Sequence, residues 1–219
     1  MAYIEHAHDD ELLSLVNVTG GNPKAMQLAL GHLKTQQRTL AHLVSELGET
    51  TAADQSQVQI EQLLSSTWAT LAQAPDARGV LMALSLFVGL INKEAAGAVA
   101  EVRGEALHAA MKYLISLSLV TVDDTLEDSW PRYSLHPLIR SFVAVKVAAE
   151  PAWEQQARER WVQWYLDFAQ EYGGLDWDPH WSDRYLHIYW EWINLRAVCE
   201  WCAAQDRYVD LVRLCLLYT

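Results

Sequence analysis

The sequence predicts a mainly α-helical protein in which a helical subdomain, a winged-helix domain with one β-hairpin, and a further helical segment follow one another. Three observations support this fold class. Apolar residues recur at helical spacing through most of the chain. Two short runs rich in β-branched and aromatic residues, 119–122 and 132–135, follow a group of helices. Eight of the ten tryptophans lie in the last third, where the pattern is again helical.

The first subdomain, residues 1–50, has clear helix boundary signals. Carboxylates at Asp9 begin one helix, Gly20-Gly21 end it, and Pro23 begins the next, because proline lacks the N–H that the first helical turn leaves unpaired. Thr39 is a suitable cap for a third helix. The polar, small-residue stretch 48–57 then predicts a linker.

Residues 58–150 show the order of elements of a winged-helix domain. The hairpin follows four predicted helices, and a further helix begins at Pro137. The predicted helices before the hairpin span residues 58–73, 76–88, 93–101 and 105–116.

Residues 151–219 predict a truncated, TPR-like helical segment with two aromatic stripes. The stripes are Trp161, Trp164, Tyr165 and Phe168, and Tyr185, Tyr189, Trp192, Leu195 and Cys199. Aromatic residues at helical spacing pack against partner helices far more often than they line a ligand site. We therefore expect both stripes to be buried in helix packing.

Composition excludes several functions. The longest apolar stretch, 80–91, is too short to span a bilayer, and no secretory signal begins the chain, so the cytoplasm is the expected compartment. The net charge of -12 disfavours nonspecific nucleic-acid binding. Cys199 and Cys202 have C-x-x-C spacing but no second ligand pair, so we expect helix packing rather than a metal or redox site.

Three segments in this order resemble the bacterial STAND-class signalling ATPases, which include NB-ARC-like proteins. They are Gly21-Asn22-Pro23, Leu135-His136-Pro137, and Asn194-Leu195-Arg196-Ala197. The resemblance covers nearly the whole chain. It departs from the family at Pro137, where an aspartate often follows the histidine.

The resemblance implies a nucleotide site. Gly21 and Pro23 would contact the adenine ring of ADP, and His136 would contact its β-phosphate, which suits an imidazole N–H donor. Arg140, one turn further, could serve an anion or a surface carboxylate. From the residues alone, the Gly21 turn could also be a plain helix–helix turn, and His136 could only cap its helix.

No G-x-x-x-x-G-K-[S/T] loop occurs in the chain, so the clamp for phosphoryl transfer and its Mg²⁺ is missing. We therefore expect a non-catalytic relay fragment of an ATP/ADP-dependent switch, with weak ADP affinity on its own. The implied partners are the P-loop domain of the same parent chain, further copies on activation, and an unidentified sensed ligand or protein.

Two alternatives come from other function classes. A winged helix can bind DNA, with residues 105–116 as the recognition helix. That segment offers Lys112 and His108 but also Glu105, and the wing is acidic at Asp123, Asp124, Glu127 and Asp128, so DNA is an unfavoured partner. A self-contained enzyme is also unfavoured, because no Ser/His/Asp or Cys/His arrangement is recognisable.

Overall fold

A computed structural model describes residues 9–19, 21–36, 55–123, 131–174 and 181–217. Three predictions fall wholly or partly outside these ranges. They are the helix capped by Thr39, most of the predicted linker, and the wing carboxylates Asp124, Glu127 and Asp128.

The described residues form ten α-helices, one 3₁₀ turn and three short strands. In chain order they are α1 Asp9–Val18, α2 Pro23–Gln36, α3 Gln55–Thr70, the 3₁₀ turn Leu71–Gln73, α4 Pro75–Ser85, β1 Ile91–Asn92, α5 Lys93–Ala100, α6 Gly104–Ser116, β2 Val120–Asp123, β3 Arg132–Leu135, α7 Pro137–Ala148, α8 Pro151–Tyr172, α9 Trp181–Ala204 and α10 Tyr208–Leu217. The mainly helical fold class is confirmed.

The strands form one antiparallel sheet in the order β1-β3-β2. Val120 lies opposite Leu135 in the predicted hairpin, and Ile91 lies opposite Tyr133 in a pairing that the sequence did not predict. A strand of two residues is too short to show an alternating pattern. Helices α4 to α6 and this sheet give the arrangement of a winged-helix domain.

Two predicted helix boundaries differ from the structure by more than one residue. Helix α3 begins at Gln55, within the predicted linker, because glutamine and serine are compatible with a first helical turn. Helix α4 ends at Ser85 rather than at residue 88. The backbone N–H groups of Val88 and Gly89 instead donate to the side chain of Asn194, far along the chain.

A large hydrophobic cluster extends through the described structure from α2 to α10. Phe87, Trp161 and Tyr165 lie fully buried near its aromatic centre, with Phe87 and Trp161 in edge contact at 6.1 Å between ring centroids. The first aromatic stripe is therefore confirmed as packing. Its other two members, Trp164 and Phe168, are half-buried against the same cluster.

The second aromatic stripe is only partly packed, which corrects the prediction. Leu195 is buried, but Tyr185, Tyr189 and Trp192 are exposed among the described residues. The inward line of α9 runs one position away, along the buried residues Ile188, Glu191, Asn194, Leu195, Val198 and Cys202. Helical spacing identified a stripe, but tertiary packing decided which stripe is covered.

Helix α2 packs closely against the turn between α6 and β2. A Cβ atom at Gly31 would lie 2.6 Å from the carbonyl oxygen of Leu117, so only glycine fits this approach. Nearby, Nζ of Lys24 donates to the carbonyl oxygen of Ser118 at 2.9 Å. These two contacts, at the start and in the second half of α2, hold the helix against the winged-helix domain.

Candidate functional site

The turn between α1 and α2 presents open backbone. Gly21 has φ of +70°, a conformation that favours glycine, and a Cβ atom there would meet nothing within 4 Å. Pro23 is exposed as the first residue of α2. Asn22 caps α2, since its Oδ1 accepts from the backbone N–H groups of Lys24 at 2.9 Å and Ala25 at 3.2 Å.

His136 is the N-cap residue of α7. Its Nδ1 accepts from the backbone N–H of Leu138 at 3.3 Å, so the neutral imidazole carries its proton on Nε2. Burial lowers the pKa of His136, and the positive charge of Lys24 lowers that pKa further. The capping role considered for His136 is therefore real, and it leaves Nε2–H available as a donor.

Lys24 donates to Ser118, two residues before Val120, and Val120 lies opposite Leu135, which directly precedes His136. The fold therefore brings the two sequence motifs into one region. Arg140 follows His136 by one turn of α7, with its backbone N–H bonded to the His136 carbonyl oxygen at 3.0 Å. Its Nη1 is buried and has no hydrogen-bond partner among the residues that the structure describes. We call Lys24, His136 and Arg140 the cationic cluster.

The electrostatics of the cationic cluster favour an anion. Burial lowers the pKa of Lys24 and of Arg140, and no carboxylate in the described part of the chain forms an ion pair with any member of the cluster. Partly desolvated positive charges without a counter-charge are unfavourable, and a bound anion would relieve that cost. The role of Arg140 toward an anion stays a prediction.

Lys24 was missed as a site residue. The available signal was a basic side chain directly after the Gly21-Asn22-Pro23 turn. Its significance depends on Ser118 and His136, which are distant in sequence and adjacent only in the fold.

A second polar group lies buried between the winged helix and the C-terminal helices. Glu191 of α9 is 2% exposed and forms an ion pair with Arg132 of β3. Its Oε2 accepts from the hydroxyl of Tyr165 at 2.7 Å and from Nδ2 of Asn194 at 3.1 Å. We call these four residues the Glu191 network.

Asn194 extends the Glu191 network to the loop between α4 and β1. Its Oδ1 accepts from the N–H groups of Val88 at 3.1 Å and Gly89 at 3.0 Å, and its Nδ2 donates to the carbonyl oxygen of Leu90 at 2.9 Å. A Cβ atom at Gly89 would lie 3.3 Å from Cβ of Ile193. The asparagine of the third sequence motif thus joins two parts of the fold.

The thiols of the C-x-x-C segment do not have lowered pKa values. Burial, followed by the neighbouring Cys215, raises the pKa of Cys199 to about 11, and burial also raises the pKa of Cys202. Reactive C-x-x-C thiols have lowered pKa values. The described residues contain no group of three or more His, Cys, Asp or Glu side chains placed to hold a metal ion.

The exposed side of α6 does not form a basic face. Glu105, His108 and Lys112 are exposed there, so this face carries one acidic side chain and one lysine. Asp123 ends β2. Within the described ranges, no helix has both the length and the apolar character needed to cross a membrane.

Comparison with known proteins adds a regulatory relative. No family model matches the chain. It is 23% identical over 216 residues to the transcription activator GutR of Bacillus subtilis (strain 168). The chain resembles a regulatory protein. The match covers 95% of this chain and 25% of that protein, so the chain spans about a quarter of the length of this relative.

Proposed function

We propose that this chain is the regulatory part of an ATP/ADP-dependent signal-transduction switch of the STAND type. The observation that carries the proposal is the hydrogen bond from Lys24 to Ser118, since nearby Val120 pairs with Leu135 next to His136. This arrangement unites two motifs 112 residues apart in one cationic cluster. The similarity to a transcription activator supports a signalling role.

In this proposal each residue has a distinct role. The Nε2–H of His136 donates to the β-phosphate of ADP, and Arg140 supplies a planar guanidinium to the same anion. The ring of Pro23 and the open backbone at Gly21 contact the adenine. Lys24 contributes charge from α2, so that a bound diphosphate would draw α2 and α7 together.

In this proposal the chain binds nucleotide and relays the signal, and it does not itself catalyse phosphoryl transfer. Its sequence has no P-loop, so phosphoryl transfer and Mg²⁺ binding would require a P-loop domain of the parent protein. Helices α8 to α10 would carry the signal to or from a sensed ligand, with self-association as a further consequence of activation.

NMR titration of the full chain with millimolar ADP tests the nucleotide contact. We expect weak binding that moves the amide signals of Lys24, Ala25 and Leu138 and raises the pKa of His136, because phosphate charge opposes the effect of Lys24. Pyrophosphate should reproduce the His136 effect, whereas adenosine should move only signals near Pro23. The imidazole of His108, exposed on α6, is the control.

Three results would contradict this proposal. The first is an unchanged His136 signal at saturating ADP, and the second is an ADP response that survives replacement of both His136 and Arg140. The third is ATP turnover by the purified chain that His136→Ala abolishes, which would indicate an enzyme. A micromolar ADP constant would indicate a more complete site elsewhere in the chain.

The alternative is DNA binding by the winged helix, which the fold and the similarity to a transcription activator favour. The mixed charges of Glu105 and Lys112 on α6 and the net charge of -12 oppose it. A salt-dependent shift of duplex DNA at moderate ionic strength that Lys112→Ala abolishes would favour this alternative.

A further inference from the structure

The Glu191 network connects α9 to three other parts of the structure. Arg132 belongs to β3 of the winged helix, and Tyr165 belongs to α8. Asn194 and Glu191 belong to α9, and Asn194 reaches the loop after α4. A displacement of α9 relative to the winged helix would therefore disturb contacts in all three parts at once.

Because they are buried, these contacts tolerate little change in geometry. Glu191 is 2% exposed, Asn194 is fully buried, and Arg132 is 7% exposed. Water has little access to replace a lost partner, so each unpaired polar atom would carry its full desolvation cost. Displacement of Glu191 would break its bonds to three directional donors, in addition to the apolar contacts that any buried residue loses.

We propose that Glu191 and Asn194 are coupling residues that fix α8 and α9 on the winged helix, so that these elements move as one rigid unit. The Glu191–Arg132 ion pair sets the position of α9 on β3. Asn194 sets its position on the loop containing Val88 and Gly89. The close approach of Ile193 to Gly89 adds steric specificity beside these polar contacts. This inference does not depend on nucleotide binding.

Hydrogen exchange of the full chain at increasing denaturant tests the proposal. In the wild type, α9 and strands β2 and β3 should lose protection together. In Asn194→Ala, the amides of Val88 and Gly89 should exchange roughly tenfold faster or more, because each loses its buried acceptor. Helices α8 and α9 should also lose protection at lower denaturant than β2 and β3.

Glu191→Gln is the second variant, because it keeps the side-chain shape and removes the charge that pairs with Arg132. It should separate the same two exchange transitions, and it covers the case in which Asn194→Ala does not fold. Glu200→Gln is the matched control, since Glu200 lies on the same helix in an exposed pair with Arg196 at 3.2 Å. The control should leave exchange unchanged.

A uniform increase in exchange across the chain in both variants would overturn the coupling role, because it would show only a general loss of stability. Unchanged protection at Val88 and Gly89 in Asn194→Ala would also overturn it. So would an equal response to Glu200→Gln.

Discussion

The winged helix contacts its two neighbours in different ways. Against α2, the described structure has a close backbone approach at Gly31 and a hydrogen bond from the half-buried Lys24 to Ser118. Against α9, it has the buried Glu191 network. Beside the buried apolar residues Ala25 and Leu28, the α2 contact has a shape fit and a single partly solvated donor, whereas the α9 contact has several directional bonds away from water. The α2 contact is therefore the one suited to opening.

The proposed ligand site lies at the weaker of these two contacts. Lys24 belongs to α2, while His136 and Arg140 belong to α7. An anion bound by the cationic cluster would add attraction across the α2 contact and offset the uncompensated charges of Lys24 and Arg140. In the proposed switch, nucleotide would thus control the contact that opens, and the Glu191 network would transmit the movement to α9.

The largest expected loss of stability follows from removing one charge from the Glu191 network. Arg132→Met leaves Glu191 buried without its ion-pair partner, and we expect the free energy of unfolding to fall by about 3–5 kcal/mol. The double variant Arg132→Met/Glu191→Leu removes both charges and should recover part of this loss. Urea unfolding followed by tryptophan fluorescence measures both.

The control for this experiment is Arg196→Ala, which breaks the exposed pair with Glu200 on the same helix. Exposed pairs contribute about 0.2–1 kcal/mol, so its effect should be small. Equal losses in Arg132→Met and Arg196→Ala would remove the distinction between the two winged-helix contacts.

A smaller effect is expected when the α2 contact is crowded. Gly31→Ala would place Cβ 2.6 Å from the carbonyl oxygen of Leu117, and because that atom is backbone it cannot rotate away. We expect a loss of about 1–3 kcal/mol in the free energy of unfolding. Gly79→Ala is the matched control in α4, where a Cβ meets nothing within 4 Å.

Gly79→Ala should stabilise the protein by up to about 1 kcal/mol, because alanine is the better helix former. Thermal unfolding of the two variants gives the comparison directly. A Gly31→Ala protein as stable as Gly79→Ala would mean that α2 has room to move without opening the contact.

The sequence predicted the features that depend on local pattern. Helical spacing and the β-branched run 119–122 were sufficient for the mainly helical fold and the hairpin, because both signals lie within one element. Strand β1 was missed because Ile91–Asn92 holds only two residues. The predicted end of α4 was wrong because Asn194, more than 100 residues away, accepts hydrogen bonds from the backbone N–H groups of Val88 and Gly89.

The candidate site was predicted in part and through family resemblance. Gly21, Pro23, His136 and Arg140 came from motifs, and their roles toward ADP stay predictions. For Lys24 the sequence offered only a basic residue after the Gly21 turn, because its relation to His136 arises when α2 packs against the turn between α6 and β2. Pattern likewise could not show that Tyr185 is exposed, because burial depends on which helix lies opposite.

The smallest expected effect tests the electrostatic side of the α2 contact. Lys24→Met loses the hydrogen bond to Ser118, which we expect to cost about 0.5–1.5 kcal/mol. It also removes the charge that lowers the pKa of His136, so this pKa should rise toward its ordinary value without reaching it, because burial still lowers it. NMR titration of His136 measures the change, and Lys112→Met, an exposed lysine on α6, is the control.

The direction in which pH changes the stability of the folded protein follows from the lowered pKa of His136. The pKa of His136 is lower in the folded protein than the ordinary value of 6.5, so as pH falls through 6.5 the unfolded chain takes up the proton first. The contribution of His136 to stability therefore decreases on acidification, and it should decrease less in Lys24→Met, whose folded pKa is closer to 6.5. Unfolding of both proteins above and below pH 6.5 compares the two losses. Equal losses would show that Lys24 and His136 are too well screened by water to act together, and the two halves of the proposed site would then be neighbours without electrostatic coupling.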